Sequence, residues 1–522
     1  MSNKYVLAFL CLSFSLSVSA SPYIPLSEKC DGYPKVPLGT SNDLCLGLLA
    51  QRSSELPLQM PRTAVETQAG EMLVVDMGGW VENKGKLWLV NYRSRPIVGK
   101  QLMSDLNLPH KILRGADGRF YVGEAHRIIR FELVGGSIAN VKTIIDSLPY
   151  RQGYLHPLKN FVFDNKNNIV VNIGSSSDRC LDQSTQCLAG DQAALWQFDY
   201  DVKSDSWSKE YKILASGLRN SMALAVHASD TLLQAENSMD FASADEPYEE
   251  INIIEPGVFY GWPNCYNRNA NINENKMSCD VKNYREPWTL MPPHVAPMDA
   301  FYYQHTKIPS LAGKLLMSWH GYKIVGHRLV AFDVDDKGRP IRQETAQYFN
   351  DPLPSEEIFN TKSFSAKGGL GMVSQHSEII SRANQVNGVR PKSAFAGISV
   401  MNDGSILIVD DKNAAILRLS NGVPYREGQL RPQASSDVKV WVAPAKVQAI
   451  LVSRCSKCHD ALQKNPAQLL NDQQWLRKVD GKTRMEFKLF DDKVMPMPPD
   501  NSLLPDERQQ LRDWIRSLDK IN

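Results

Sequence analysis

The chain has 522 residues, with 59 basic against 57 acidic side chains and a formal charge of +2. That balance leaves no nucleic-acid footprint, and 43% hydrophobic with 22% charged residues describes an ordinary globular protein with ample length to bury its cores. Nothing after the first residues supplies the run of about 20 apolar residues that a membrane-spanning helix needs.

The chain opens with Lys4, an apolar stretch from Tyr5 to Leu16, and the small residues Val18-Ser19-Ala20. This order predicts a signal peptide over 1–20, cut after Ala20, and hence a soluble exported protein, best placed in a bacterial periplasm. Cys11 leaves with the signal. Of the eight cysteines that remain, two belong to a motif near the C-terminus and six fall into sequence-near couples: Cys30 with Cys45, Cys180 with Cys187, and Cys265 with Cys279. Short polar loops of this kind predict three local disulfides in an oxidising compartment; free thiols or a zinc site are the alternatives.

Between residues 67 and 419 one phrase recurs six times: a polar turn, often with Asp-Gly or Asn, followed by an apolar strand and then a second strand. The instances start at Glu71, Asp117, Asn167, Asp230, Gly313 and Asp403. Strand pairs at this wide spacing, with few helical periods between them, predict an all-β six-bladed propeller over residues 21–420. A many-stranded β-sandwich is the competing architecture. Residues 421–444, rich in Pro, Arg, Ser and Gly, read as a linker.

A small all-α domain is expected over 445–522. Val447-Gln448-Ala449-Ile450-Leu451 starts a helix that leads into Cys455-Ser456-Lys457-Cys458-His459. Leu511, Trp514, Ile515 and Leu518 make one apolar helical stripe, with Pro505 near its start. The Cys-x-x-Cys-His run is the attachment site of a covalent haem c: Cys455 and Cys458 bond the two vinyl groups, and His459 turns its imidazole to the iron. A thioether should complete the coordination, from Met495 or Met497 in Met495-Pro496-Met497-Pro498-Pro499. The domain resembles small cytochromes c, which place the ligand in a Met-Pro-Pro run, and this selects Met497.

A cytochrome carries electrons without choosing a substrate, so the chemistry falls to the large domain. Gly217-Leu218-Arg219-Asn220, Gln234-Ala235-Glu236-Asn237, Glu250-Ile251-Asn252 and Phe259-Tyr260-Gly261-Trp262-Pro263 occur in the order seen in soluble quinoprotein sugar dehydrogenases and their sorbosone and pyranose dehydrogenase relatives. The chain resembles that family over roughly residues 55–420, most sharply between about 150 and 265. The resemblance implies a six-bladed propeller holding pyrroloquinoline quinone (PQQ) and calcium, and an enzyme oxidising a sugar or related alcohol. It makes His156, in Leu155-His156-Pro157-Leu158-Lys159, the catalytic base, a role that suits an imidazole at neutral pH. It assigns Arg219 and Asn220 to the cofactor, whose three carboxylates a guanidinium can grip. Lys323 stands near the place of the family's quinone-facing cation, and backbone carbonyls around Ala244 and Asp245 near that of its calcium. One departure is evident: Arg390-Pro391 is followed by Lys392-Ser393-Ala394-Phe395-Ala396-Gly397, which looks like an insertion where the family keeps a cofactor-binding arginine.

The whole chain is therefore expected to be a quinohaemoprotein dehydrogenase that passes electrons through its haem to a periplasmic acceptor such as another cytochrome c. Two rivals come from other classes: a calcium-dependent lactonase-type hydrolase, which would have no use for a haem, and a non-catalytic electron-transfer or docking protein.

Overall fold

The computed structural model describes residues 23–41, 43–150, 154–181, 191–241, 246–267, 270–272, 279, 281–321, 326–343, 373–374, 376–381, 393–422, 444–455, 478–479, 482–483 and 503–519. Two compact units divide the chain, 1–425 and 426–522.

Six antiparallel sheets, each built on four strands, make up the first unit. Blade 1 runs from its innermost strand Pro61–Gln68 through Glu71–Asp76 and Gly85–Asn91 to Val98–Leu106. The innermost strands of the other blades are Lys111–Arg114, Phe161–Phe163, Ala223–Val226, Pro297–Tyr302 and Phe395–Val400. These inner strands neighbour one another around a central axis, so the architecture is a six-bladed propeller and not a sandwich.

The six recurring phrases are the second strands of the six blades: Glu71–Asp76, Phe120–Gly123, Ile169–Ile173, Leu232–Ala235, Leu315–Trp319 and Ile406–Asp410. Their legibility has two physical causes. Each is entered by a turn with one residue in the left-handed region, where Gly, Asn and Asp are tolerated. Those residues are Gly70, Gly118, Asn167, Asp230, Gly313 and Gly404, at φ between 66° and 99°. Each strand is also buried on both faces, because successive side chains point to the two neighbouring blades. In blade 1, Met72 and Val74 pack with Leu407 and Val409 of blade 6, whereas Leu73 and Val75 pack with Phe120 and Val122 of blade 2.

Ring closure uses sequence-distant chain. The outermost strand of blade 6 is Cys45–Gln51, from the N-terminal region, paired antiparallel with Ala415–Ser420. Leu46, Leu48 and Leu49 are buried there, and the Cys30–Cys45 disulfide anchors the strand's start. Gly39–Thr40 likewise adds to the outer strand of blade 5. The Cys265–Cys279 disulfide forms as expected, and Cys180 is disulfide-bonded, while Cys187 lies outside the described residues.

In the second unit, helix Ala445–Ile450 continues into a wide turn over Leu451–Cys455 and packs against helix Pro505–Asp519. Val447, Ile450 and Leu451 are buried on one side, Leu511, Trp514 and Ile515 on the other, so the apolar stripe read from sequence faces inward where its side chains are described. Glu507 bonds the backbone N–H of Leu504 at 2.9 Å, one half of a capping box, and pairs with Arg454 at 3.1 Å. A two-residue strand pair, Lys478–Val479 with Lys482–Thr483, is also present. Cys458, His459, Met495 and Met497 lie outside the described residues, as does the side chain of Cys455. No helix among the described residues is long and apolar enough to cross a membrane.

Leu49→Ala removes a fully buried side chain from the closing strand and should cost about 2–5 kcal/mol of propeller stability. Val98→Ala, at a position 48% exposed, should stay within about 0.5 kcal/mol. Urea unfolding of the two variants checks this, and equal midpoints would contradict the closure role.

Candidate active site

The loops that enter the innermost strands and those that leave the second strands emerge at the same end of the axis. At that end an apolar collar forms from Met77, Leu108, Ala125, Leu158, Met222 and Met298, contributed by five blades. The residues singled out from sequence in blades 3 and 4 stand beside it.

His156 sits on the loop before Phe161–Phe163. Its Nδ1 lies 2.9 Å from both the backbone carbonyl and the hydroxyl of Ser175. A carbonyl only accepts, and the Ser175 hydroxyl donates to the Ser177 carbonyl at 2.6 Å, so Nδ1 carries the hydrogen. Nε2 is then the nitrogen with the free lone pair. Burial, followed by the nearby Arg219 guanidinium and then Lys159, holds the imidazole well below its usual range, against the opposing Ser175 hydrogen bond. The ring is neutral at pH 7 and ready to accept a proton at Nε2.

Gly174 explains how the ring is held so near its neighbours. A Cβ at this position would stand 2.5 Å from the His156 Cβ and 3.2 Å from the Asn220 Oδ1, so absence of a side chain lets the two loops meet.

Arg219 is 3% exposed and ties blade 3 to blade 4. Its Nη2 donates to Asp178 Oδ1 at 2.7 Å, Nε to the Asp178 carbonyl at 3.1 Å, and Nη1 to the Asn237 carbonyl at 2.7 Å. Its own carbonyl accepts the Ser175 N–H at 2.7 Å. Three of the five guanidinium donors are thus hydrogen-bonded, Nη2 also faces Asp240 Oδ2 at 3.8 Å, and two donors carry no hydrogen bond within the protein. Asn220 is buried with its Oδ1 unpartnered, and the Asn237 Oδ1 beside it is likewise buried and unpartnered. Buried acceptors of this kind call for a donor or a cation, supplied by water or by a bound molecule.

The four phrases form one packed unit. Glu236 accepts the Arg219 N–H at 2.8 Å, the Glu236 N–H donates to the Glu250 carbonyl at 2.9 Å, and the Trp262 N–H donates to the Gly217 carbonyl at 3.0 Å. The Trp262 indole also donates to the Asp178 carbonyl at 2.9 Å. Burial pushes Glu236, Glu249 and Glu250 upward, with mutual repulsion adding to it, so this wall of the site is less negative than its composition implies.

Lys159, three residues beyond His156, has no exposed surface. Its Nζ donates to the Pro157 carbonyl at 3.0 Å and lies 5.8 Å from the Tyr154 ring centroid. Burial pulls its amine down to about 7.

Ser175, Asp178, Glu236 and Lys159 were not assigned roles from sequence. Glu236 carried a signal as a member of the second phrase, and Lys159 stood in the stretch that holds His156 without a role of its own. Lys323, Ala244, Asp245 and Arg390 lie outside the described residues. Among the described residues no cluster of His, Cys, Asp and Glu is arranged to hold a metal ion.

Similarity to known proteins centres on these blades. The sequence family described as Glucose / Sorbosone dehydrogenase matches residues 117–351, a stretch that includes His156, Arg219 and Asn220. Similar structures include the holo form of the pyranose dehydrogenase PQQ domain from Coprinopsis cinerea, with a TM-score of 0.53 and 18% identity over 75% of this chain and 99% of that one. Another is the calcium structure of a Trichoderma reesei protein of Carbohydrate-Active Enzymes Family AA12, with a TM-score of 0.53 and 15% identity over 74% of this chain and 98% of that one. These likenesses establish a shared fold. No curated protein sequence matches the chain.

Gly174→Ala should displace His156 and abolish any activity that depends on it while leaving the propeller folded. Circular dichroism together with turnover checks this, and retained turnover would show that the ring does not need its present seat. The depressed Lys159 amine also has a stability signature. The unfolded chain binds the extra proton between pH 7 and 10.5, so wild-type stability contains a component that rises with pH there, by at most about 1.4 kcal/mol per unit. Lys159→Met lacks it, so the stability difference between the two proteins should shift in favour of the wild type as the pH is raised from 7 to 10 in urea titrations.

Proposed function

We propose that the protein is a PQQ-dependent dehydrogenase that oxidises a sugar or related alcohol and passes the electrons through a covalent haem c to a periplasmic acceptor. The observation that carries the reading is the pairing of a neutral imidazole, its Nε2 lone pair free, with buried unpartnered acceptors and a partly uncommitted guanidinium beside it. The residues present suit an anionic quinone with a cation at its side: Arg219 has two donors to offer, and the carbonyl oxygens of Asn220 and Asn237 lack partners.

In this reading Arg219 and Asn220 hold PQQ, joined by Lys323, and carbonyls around Ala244 and Asp245 hold calcium. When bound, PQQ supplies a two-electron acceptor and haem a one-electron carrier, chemistry that side chains lack. His156 accepts the substrate hydroxyl proton at Nε2. As the ring becomes cationic, its Nδ1–H is retained by the Ser175 carbonyl, which fixes both tautomer and orientation. The Arg219 bridge keeps the His156 loop in register with blade 4.

The haem half of the proposal rests on the Cys455-x-x-Cys458-His459 spacing, with Met497 as the second axial ligand. Export to the periplasm rests on the leader-like first 20 residues and accords with the disulfides of the propeller. A fused electron carrier also favours oxidation over lactone hydrolysis, which releases no electrons.

His156→Ala should lower quinone-dependent oxidation of a sugar by about 100-fold or more, the range of a lost general base, with quinone affinity nearly unchanged. Turnover with an artificial dye, alongside quinone titration by fluorescence, checks this. Full activity in the variant would remove His156 from the reaction, and failure of PQQ to bind the wild-type protein would overturn the proposal.

A further inference from the structure

Seven lysines and arginines are buried among the described residues, and six of them pair with a carboxylate. The pairs are Arg62 with Asp411, Lys111 with Asp299, Arg130 with Asp205, Arg219 with Asp178, Arg328 with Glu378, and Arg418 with Asp31. Lys159 is the exception. Its single hydrogen bond goes to the Pro157 carbonyl, and an aromatic ring is its other polar neighbour. A buried amine with one of its donors satisfied is costly, and a packed propeller wall would be better served by Met or Leu at that point. Costly unpaired charges of this kind concentrate where chemistry needs them.

Its position supplies the need. Lys159 lies on the same short loop as His156, and the Tyr154 ring near its amine donates its own hydroxyl to the carbonyl of Gly174, the glycine against which His156 rests. We propose that Lys159 is a positioning residue acting through His156: its ammonium, held by the Pro157 carbonyl and the Tyr154 ring, supplies a positive charge that favours the neutral, proton-accepting imidazole. The inference rests on the reading of His156 as the base.

The charged groups facing His156 are few. Arg219 acts from blade 4, itself paired with Asp178, and Lys159 acts from the loop's own base; Ser175 offers only neutral acceptors. A guanidinium carries a permanent charge, whereas the Lys159 amine, pulled down to about 7, titrates in the working range. The influence of Lys159 on the ring is therefore present below about pH 7 and fades above it, while that of Arg219 is constant.

The test is a titration of the protein without quinone, carrying 13C-labelled histidine, with the His156 signal identified by its loss in His156→Gln. In the wild type the ring should titrate below pH 6.5, and its signal should show a second inflection near pH 7 from ionisation of Lys159. In Lys159→Met the second inflection should vanish and the ring's own midpoint should rise. Lys159→Arg, permanently charged, should lose the inflection but keep the low midpoint. In the quinone-loaded enzyme the acid limb of kcat/KM should move to higher pH in Lys159→Met. A His156 curve in Lys159→Met that superimposes on the wild type overturns the proposal and leaves Lys159 as loop packing. If the two residues prove coupled but His156→Ala still turns over sugar, the reading of His156 as the base fails instead, and the coupling has no base to serve.

Discussion

The structure depends first on closure of the ring. A propeller blade is apolar on both faces and cannot be stable with one face open, so six blades must meet end to start. Here the meeting is made by Cys45–Gln51, laid along Ala415–Ser420 and anchored by the Cys30–Cys45 disulfide. The N-terminal segment thereby seals an interface whose apolar residues come from blades 6 and 1. Closure also brings the loops of all six blades to a common axis, where residues far apart in sequence acquire a shared site.

Within that frame, blades 3 and 4 do the specific positioning. Arg219 spans them, with its guanidinium on Asp178 and the Asn237 carbonyl and its own carbonyl taking the Ser175 N–H. Ser175 in turn fixes His156. A chain of short contacts therefore runs from the blade 4 phrases to one imidazole nitrogen. The Arg219 pair is partly buried and its carboxylate partner is 28% exposed, so its value lies in register more than in raw stability. Burial first, and then the same cation, lower the basicity of the ring, which keeps His156 in the neutral state that the proposed base role requires.

Much of the fold was legible because it is repetitive in a physical sense. The second strand of each blade needs a left-handed residue before it and apolar residues on both faces, and Asp117-Gly118 or Asp403-Gly404 followed by apolar runs announce both. The closing strand was not among the six phrases, since its partner lies near the other end of the propeller sequence and local pattern carries no record of it. At the site, His156, Arg219 and Asn220 were found through phrases resembling a known family. Ser175 left no mark because its contributions are a backbone carbonyl and a serine hydroxyl. Asp178 lies in a Ser-rich loop that reads as an ordinary turn. Lys159 escaped because a lysine between Leu158 and Phe161 looks like a solvent-facing residue, and only tertiary packing buries it. The haem ligands and Lys323 remain expectations of sequence alone.

The central claim is that this propeller feeds electrons from a sugar into its own haem, and a visible spectrum tests it most directly. Haem-loaded protein, reconstituted with calcium and PQQ, is followed anaerobically as aldoses, sugar alcohols and simple alcohols are added. The account predicts that at least one of them brings up the reduced haem bands with quinone present and none does without it. Haem that stays oxidised with every sugar and alcohol while quinone is bound would contradict it, and would leave a cytochrome attached to a propeller that does not oxidise this class of substrate.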